Sequence, residues 1–267
     1  MPLTSLQRDV LALIAKRRGP GSFIAGGVPL NRGGARYSDD IDIFHDREAT
    51  VLTAADGDHD ALVAAGYDVS WARHTSQMCT LDIRRDGELM HLDWVFDSDY
   101  RFYPAQPDPE FGFVLHTIDL ATNKALAAAA RREPRDTLDL LTVDRVHFPL
   151  SIVMAAAVAK DPGYSPQSLI AYIRRFARYQ QNELQPFADG QPIDAGQVSR
   201  DLKAALERAE AFVEKLPSAY VGLLFLEDGR IVEPDLKRLD TYELRGCTRA
   251  GLWPTDPVAI SALLRRR

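Results

Sequence analysis

The sequence has few cysteines and no long uninterrupted hydrophobic run. Its 267 residues include 2 cysteines, Cys79 and Cys247, which is too few for a disulfide framework. Neither cysteine stands in a metal-ligand spacing, and so low a content fits a reducing compartment. No apolar run is long enough to span a membrane, and the amphipathic segment 1–19 lacks the continuous apolar core of a secretory signal. We therefore expect a cytoplasmic protein with no membrane partner.

An excess of basic residues is also missing. The chain carries 32 lysines and arginines against 38 aspartates and glutamates, for a formal net charge of -6. This balance excludes a globally basic nucleic-acid binder but leaves local basic patches open. A hydrophobic content of 46% is that of an ordinary globular protein, with room for one large domain or two small ones.

The patterns along the chain change character near residue 148. Before it, helical and alternating segments are mixed, which predicts an α+β half over 1–148. After it, helical periods dominate, apart from a small hairpin, and predict a mostly helical half over 149–267. The predicted helices include 3–18, one or two over 49–67 broken near Gly57, two within 117–144, and three within 149–161, 165–187 and 194–216.

The clearest hairpin lies in residues 79–97, with Asp86-Gly87 as a type I′ turn. A two-residue loop there sets Leu81 opposite Leu92 and Ile83 opposite Met90 on an apolar face. On the polar face, Asp82 meets His91 and Thr80 meets Asp93. The predicted buried positions of the second strand are Met90, Leu92, Trp94 and Phe96.

The segment "DIDIF" reads as a strand whose Asp40 and Asp42 point to one face, while Ile41 and Ile43 point into the core. Two neighbouring carboxylates repel each other unless a positive charge lies between them, and a divalent cation such as Mg²⁺ meets that need. The alternative is a sheet edge whose acidic face is simply solvated.

Two further features favour the metal site over the solvated edge. Gly26-Gly27 stands shortly upstream, where glycines allow the backbone to approach a ligand and amide groups can hold phosphate. Asp93 supplies a third carboxylate on the polar face of the hairpin. Together with Asp40 and Asp42 it would complete a two-metal arrangement for phosphoryl or nucleotidyl transfer.

These motifs resemble the DNA polymerase β-like nucleotidyltransferase superfamily. The stretch "GGVPLNRGGARYSDDIDIFHD" is most similar to the branch of AbiEii-type toxins from abortive-infection and type IV toxin–antitoxin systems. That branch also has a lysine helix and an Arg-Asp-x-x-Asp segment, matched here by Lys124 and by Arg135, Asp136 and Asp139. The resemblance covers residues 23 to about 143, and the helical half matches no family that we can name.

The resemblance implies a nucleotidyltransferase-like mixed β-sheet flanked by helices and an NTP-dependent enzyme. Asp40, Asp42 and Asp93 would be the catalytic carboxylates and the ligands of Mg²⁺, with Mn²⁺ as the alternative metal. Residues assigned to the nucleotide or to support of its site are Gly26, Gly27, Ser38, Lys124, Arg135 and Asp139. From the residues alone, Ser38 could equally shape the turn into the strand, and Arg135 could simply pair with Asp139.

The acceptor is open between RNA or tRNA and a protein side chain, in a toxin with a cognate antitoxin. One alternative is a small-molecule enzyme of the aminoglycoside-modifying type, which the acidic net charge favours. Another is a non-catalytic nucleotide-binding protein, because Val28 and Pro29 follow the glycine pair where the family usually has Thr or Ser. The basic run Arg174, Arg175 and Arg178 is either a solvated helix face or a contact for RNA.

Overall fold

The computed structural model describes residues 3–32, 40–188 and 192–249. Its helices in these ranges are α1 (Ser5–Ile14), α2 (Gly27–Leu30), α3 (Val51–Ala64), α4 (Thr117–Ala130), α5 (Pro134–Thr142), α6 (Leu150–Ala157), α7 (Pro166–Phe176), α8 (Gln181–Leu184) and α9 (Ala195–Val213). Its strands are β1 (Ser22–Ala25), β2 (Asp40–His45), β3 (Asp68–His74), β4 (Met78–Arg85), β5 (Glu88–Phe96), β6 (Tyr100–Arg101), β7 (Gln106–Asp108), β8 (Gly112–Val114), β9 (Leu223–Glu227), β10 (Arg230–Val232), β11 (Glu243–Gly246) and β12 (Thr248–Arg249). The predicted α+β class is confirmed.

The chain forms two compact units. The first comprises Met1–Asp99 and Pro104–His116, and the second comprises Tyr100–Tyr103 and Thr117–Arg267. Helices α4 and α5 therefore belong with the later helices by their contacts. We predict from the sequence that residues 1–148 form the catalytic part and that residues 149–267 help to bind the acceptor, and that functional division stays a prediction.

The first unit is built on a mixed sheet of seven strands within its described residues, in the order β3-β4-β5-β2-β1-β8-β7. Strand β2 pairs with β5 in parallel, and β1 pairs with β8 in parallel. The other neighbours are antiparallel. The central position of β2 sets the residues of β1 and β5 on either side of its two aspartates.

Helices α1 and α3 cover the apolar face of this sheet. A capping box between Thr4 and Gln7 starts α1, and the helix then buries Leu6, Val10, Leu11 and Ile14. Leu13, which fits the same helical period in the sequence, is partly exposed instead. From the sheet, Ile41, Ile43, Leu81, Leu92 and Trp94 are fully buried in the same core.

The hairpin of β4 and β5 has the predicted register. Leu81 pairs with Leu92, and Thr80 pairs with Asp93. Asp86 and Gly87 have φ angles of 53° and 83°, as a type I′ turn requires. The prediction that Phe96 is buried is wrong, because Phe96 lies past the last residue pair of the hairpin and is 40% exposed.

Helix α3 runs without interruption through Gly57, so the predicted break is wrong. Glycine is used there for close approach instead of for a turn. A Cβ added to Gly57 would lie 2.2 Å from Nη2 of Arg17, whose guanidinium pairs with Asp58. The missing side chain leaves room for this ion pair.

The second unit contains α4 to α9 and the small sheet β10-β9-β11. The predicted hairpin is present and turns at Asp228-Gly229, both with positive φ. The helix predicted over 165–187 is interrupted, because Ala177 leaves the helical conformation at ψ 54° after Phe176. No single helix in the described ranges has the length and apolarity to cross a membrane, although Pro134–His147 and Leu150–Ala157 reach that threshold together across a 118° bend.

Candidate active site

Two aspartates lie on the partly buried face of β2. Burial alternates along the strand, so that Ile41 and Ile43 are fully buried while Asp40 and Asp42 are partly accessible. The parallel pairing with β5 places Asp42 directly beside Asp93. Side chains of paired residues in adjacent strands point to the same face, which explains why the third aspartate joins the first two.

The carboxylates of Asp40, Asp42 and Asp93 converge. One oxygen of each lies within 4.8 Å of the corresponding oxygens of the other two. All three side chains are partly buried, so solvent screens their mutual repulsion less than on an open surface. An all-oxygen, triply acidic set suits a hard divalent cation, and the residues present therefore fit a Mg²⁺ or Mn²⁺ site. Their predicted convergence is confirmed, and their catalytic and metal-binding roles stay predictions.

Gly26 is required where β1 ends against Asp42. Its φ of 70° and ψ of -148° lie in a region that is nearly restricted to glycine. A Cβ at this position would lie 1.7 Å from Oδ2 and 2.7 Å from Cγ of Asp42. The glycine thus allows the backbone to pass directly beside the acidic cluster.

The residues after Gly26 form a short helical turn. Gly27 opens α2, and its carbonyl oxygen accepts hydrogen bonds from the backbone N–H and the side-chain amide of Asn31. Val28 is buried in the core, and Pro29 has no N–H to offer. The position where the resembled family usually has a hydroxyl therefore presents no polar side chain. Phosphate binding by Gly26 and Gly27 stays a prediction.

Ser38, the candidate phosphate contact, lies outside the described residues.

The lysine helix and the Arg-Asp-x-x-Asp segment meet within the second unit. Lys124 Nζ lies 2.8 Å from Oδ2 of Asp139 and 3.3 Å from Oδ1 of Asp136. Both aspartates are fully buried, and the lysine side chain is 12% exposed. The ion pairs therefore fix the ammonium group in place. Triphosphate binding by Lys124 and the supporting roles of Arg135 and Asp139 stay predictions.

Asp136 has more contacts than the sequence indicated. It lies in the first turn of α5, and it accepts hydrogen bonds from Nε and Nη2 of Arg131. Burial acts to raise the pKa of Asp136, but the bonds from Arg131 and the charge of Lys124 outweigh it, and the pKa is lowered. The sequence feature that could have indicated these contacts is Arg131, which lies five residues before Asp136, on the other side of the gap between two predicted helices.

A buried ionic network on the apolar side of the sheet was missed by the sequence reasoning. Asp58 pairs with Arg18 at 2.5 Å and with Arg17 at 2.8 Å, and it accepts a 2.9 Å hydrogen bond from the indole N–H of Trp94. Burial raises the pKa of Asp58, although Arg18 and Trp94 act against that rise. Since Trp94 follows Asp93, this network anchors the strand that carries the third aspartate.

His45 lies at the end of β2 on the same side. Its ring nitrogens are 3.2 Å from the Thr50 hydroxyl and 3.5 Å from the Ser22 hydroxyl. Burial, together with the charge of Arg18, lowers the pKa of His45 to about 4. The histidine on the opposite side, His91, pairs with Asp82 at 2.9 Å, which confirms the predicted cross-strand pair.

The basic run of the second unit differs from the prediction. Arg174 pairs with Glu210 at 2.8 Å, and Arg178 lies beyond the end of α7. The three arginines therefore do not form one helical stripe, because the helix ends between the second and the third.

Comparisons with known proteins bear on the fold. No protein-family model matches the chain, and no curated protein is a significant match to its sequence. Among solved structures, MenT4, a nucleotidyltransferase toxin from Mycobacterium tuberculosis H37Rv, is similar with a TM-score of 0.59 and 16% identity over 80% of this chain and 83% of that chain. Cid1 poly(U) polymerase, with Mg and 3′-dATP bound, gives a TM-score of 0.31 and 13% identity over 73% of this chain and 64% of that chain, and a TM-score this low does not indicate a shared fold. The likeness to MenT4 shows that this chain has a nucleotidyltransferase-like fold.

Proposed function

We propose that this protein is a metal-dependent nucleotidyltransferase. It would transfer a nucleoside monophosphate from an NTP to a hydroxyl group of an acceptor RNA, with release of pyrophosphate. The observation that carries this proposal is the convergence of Asp40, Asp42 and Asp93 to within 4.8 Å on a sheet of nucleotidyltransferase-like fold.

The three carboxylates would hold the divalent ions. Their oxygens are the donors that Mg²⁺ and Mn²⁺ prefer, and their partial burial favours neutralisation by a cation. When bound, such ions polarise the phosphoryl group and stabilise the charge that develops on the attacking and leaving oxygens.

Proton transfer and the positioning of the carboxylates would be carried out by residues of the chain. Asp93 would accept the proton of the acceptor hydroxyl, because it is the carboxylate on the strand next to the other two. Gly26 would keep Asp42 in position through the close approach of its backbone. Roles for Gly27, Ser38, Lys124, Arg135 and Asp139 at the triphosphate follow from the family resemblance alone.

A biological role as a toxin is part of the proposal. The name of MenT4 describes a nucleotidyltransferase toxin, and the sequence motifs resemble AbiEii-type toxins. A cognate antitoxin would then be a partner of this chain. We prefer RNA to a protein side chain as the acceptor for two reasons. RNA has hydroxyl groups that can accept the nucleotide, and its phosphates can also bind to arginines on the protein surface.

The test is label transfer. The full chain is incubated with each α-phosphate-labelled NTP, Mg²⁺ or Mn²⁺, and total cellular RNA. We expect labelled RNA with the wild type and at least about 100-fold less with Asp93→Asn. The matched control is Asp68→Asn, which removes an exposed carboxylate from the edge strand β3 of the same sheet and should leave transfer unchanged.

Other outcomes redirect the assignment. Label in added cellular protein would replace RNA by a protein side chain as acceptor. Label that requires an aminoglycoside would favour the small-molecule enzyme. Binding of NTP without any transfer would favour the non-catalytic alternative, for which the buried Val28 and the amide-lacking Pro29 are the structural reason.

A further inference from the structure

Three aromatic rings form a ladder on the solvent side of α7 and the turn before it. The ring centroids of Tyr164 and Tyr172 are 5.9 Å apart in an edge-on arrangement. Those of Tyr172 and Phe176 are 6.4 Å apart with planes inclined by 22°. Tyr172, at the centre, is 43% exposed. The ladder therefore presents an aromatic surface to solvent.

The packing of α7 does not account for this ladder. The helix already buries Leu169, Ile170 and Ile173 completely, and these residues anchor it within the second unit. Tyr172 and Phe176, four residues apart, lie on another side of the helix. Tyr172 is exposed beside two further rings, and a cluster of exposed aromatic groups is typical of a binding surface.

An arginine lies beside the ladder. Of the nearby arginines, Arg174 is paired with Glu210, and Arg132 is paired with Glu183. Among the described residues, no carboxylate lies within ion-pair distance of Arg175 or Arg178. The guanidinium of Arg175 lies 6.0 Å from the ring centroid of Phe176, directly at the ladder. Within the described residues, the guanidinium of Arg175 is thus the charge at the ladder that is available to an external anion.

We propose that this α7 aromatic surface (Tyr164, Tyr172, Phe176 and Arg175) binds unpaired nucleotides of single-stranded RNA. Every base has a π-face that can stack on an exposed ring, and the guanidinium of Arg175 beside Phe176 would contact a phosphate. Two of the three rings carry hydroxyl groups, which can hydrogen-bond to a ribose 2′-hydroxyl. Duplex RNA cannot use the surface in this way, because its bases are stacked on each other.

The proposal does not depend on nucleotidyl transfer, and its test needs neither NTP nor metal. Fluorescently labelled, unstructured RNA, a duplex of the same length, and DNA of the same sequence are titrated with the full chain in EDTA, and anisotropy gives the dissociation constants. We expect the single-stranded RNA to bind most tightly. Tyr172→Leu, which keeps apolar area but loses the ring, should weaken this binding by about 5- to 100-fold.

The charge contribution has its own variant. Arg175→Gln should weaken binding and reduce the slope of log K against log salt by about 0.7, the value for one phosphate contact on a single strand. The matched control is Arg200→Gln, an exposed arginine on α9 in the same unit, which should change neither quantity. Thermal unfolding of each variant confirms that it is folded.

Four results overturn the proposal. The first is wild-type affinity of Tyr172→Leu for single-stranded RNA. The second is equal affinity for the duplex, which would leave charge alone as the cause, and the third is equal affinity for DNA, which would remove the assignment to RNA. The fourth is absence of RNA binding together with Tyr172-dependent self-association in analytical ultracentrifugation, which would assign the surface to a second copy of this chain.

Discussion

Replacement of Gly26 by alanine tests how the acidic cluster is held. The backbone at this position, with φ 70° and ψ -148°, costs an L-residue on the order of 1–3 kcal/mol. The new methyl group would also lie 1.7 Å from Oδ2 of Asp42, so the carboxylate must move. Natural domains are stable by roughly 5–15 kcal/mol, and the variant should therefore remain folded.

Two quantities should change together in Gly26→Ala. The free energy of unfolding, from urea denaturation without metal, should fall by about 1–3 kcal/mol. The affinity for Mn²⁺, measured by calorimetry, should fall at least about tenfold, because displacement of Asp42 removes one of three ligands.

Gly66→Ala is the control that separates the effect of backbone strain from the effect of displacing the Asp42 carboxylate. Gly66 also has a positive φ, 83°, but a Cβ there would meet no atom within 4 Å. We expect a loss of about 1–2 kcal/mol in stability and unchanged Mn²⁺ affinity. Wild-type Mn²⁺ affinity in Gly26→Ala, or an equal loss of affinity in Gly66→Ala, would refute the reasoning that Gly26 positions Asp42.

Three further predictions concern charge. Asp42→Asn should raise the melting temperature in EDTA, because it relieves repulsion within the acidic cluster. The same variant should lose the increase in melting temperature that Mg²⁺ gives the wild type. An unchanged response to Mg²⁺ would contradict the metal site. Asp58→Asn should lower the free energy of unfolding, measured by urea denaturation, by about 3–5 kcal/mol, because it leaves buried Arg18 without its partner. The control is Asp60→Asn, at a side chain that is 82% exposed, which should change the free energy of unfolding by no more than about 0.5 kcal/mol. The pKa of His45 is lowered from 6.5 to about 4, so the unfolded chain takes up the proton first, and stability should be full above pH 6.5 and fall by about 3 kcal/mol as the pH drops to 4. His45→Phe should flatten that part of the profile, and an unchanged profile would exclude His45 as its source.

Local patterns determined the strands that carry the site. The period of two in "DIDIF" assigned Asp40 and Asp42 to one face and the isoleucines to the core, and the structure has that arrangement. The turn pair Asp86-Gly87 fixed the register of β4 and β5 and thereby the face of Asp93. Both inferences hold because strand alternation and turn conformation depend on residues close in the chain.

The same local reasoning gave wrong predictions for one glycine and for one helix end. Gly57 looked like a helix break, yet it lies within α3 and makes room for Arg17. The arginines of the basic run looked like one stripe, yet α7 ends at Phe176 before Arg178. The helical period predicts which residues share a face of a helix. It does not predict the residue at which the helix ends.

Sequence alone thus determined which residue types lie on each strand face, because that depends on a period of two and on one turn. It suggested that Asp93 joins Asp40 and Asp42 from the polar face of the hairpin and from family resemblance, but it did not give the pairing of β2 with β5, which are separated by a helix and two strands. The tertiary structure decided the parallel pairing that sets Asp42 beside Asp93, and the approach of Gly26 to Asp42. It also decided the burial of Asp58 between Arg17, Arg18 and Trp94. These contacts join segments far apart in the chain, so their free energies appear only when the whole core is assembled.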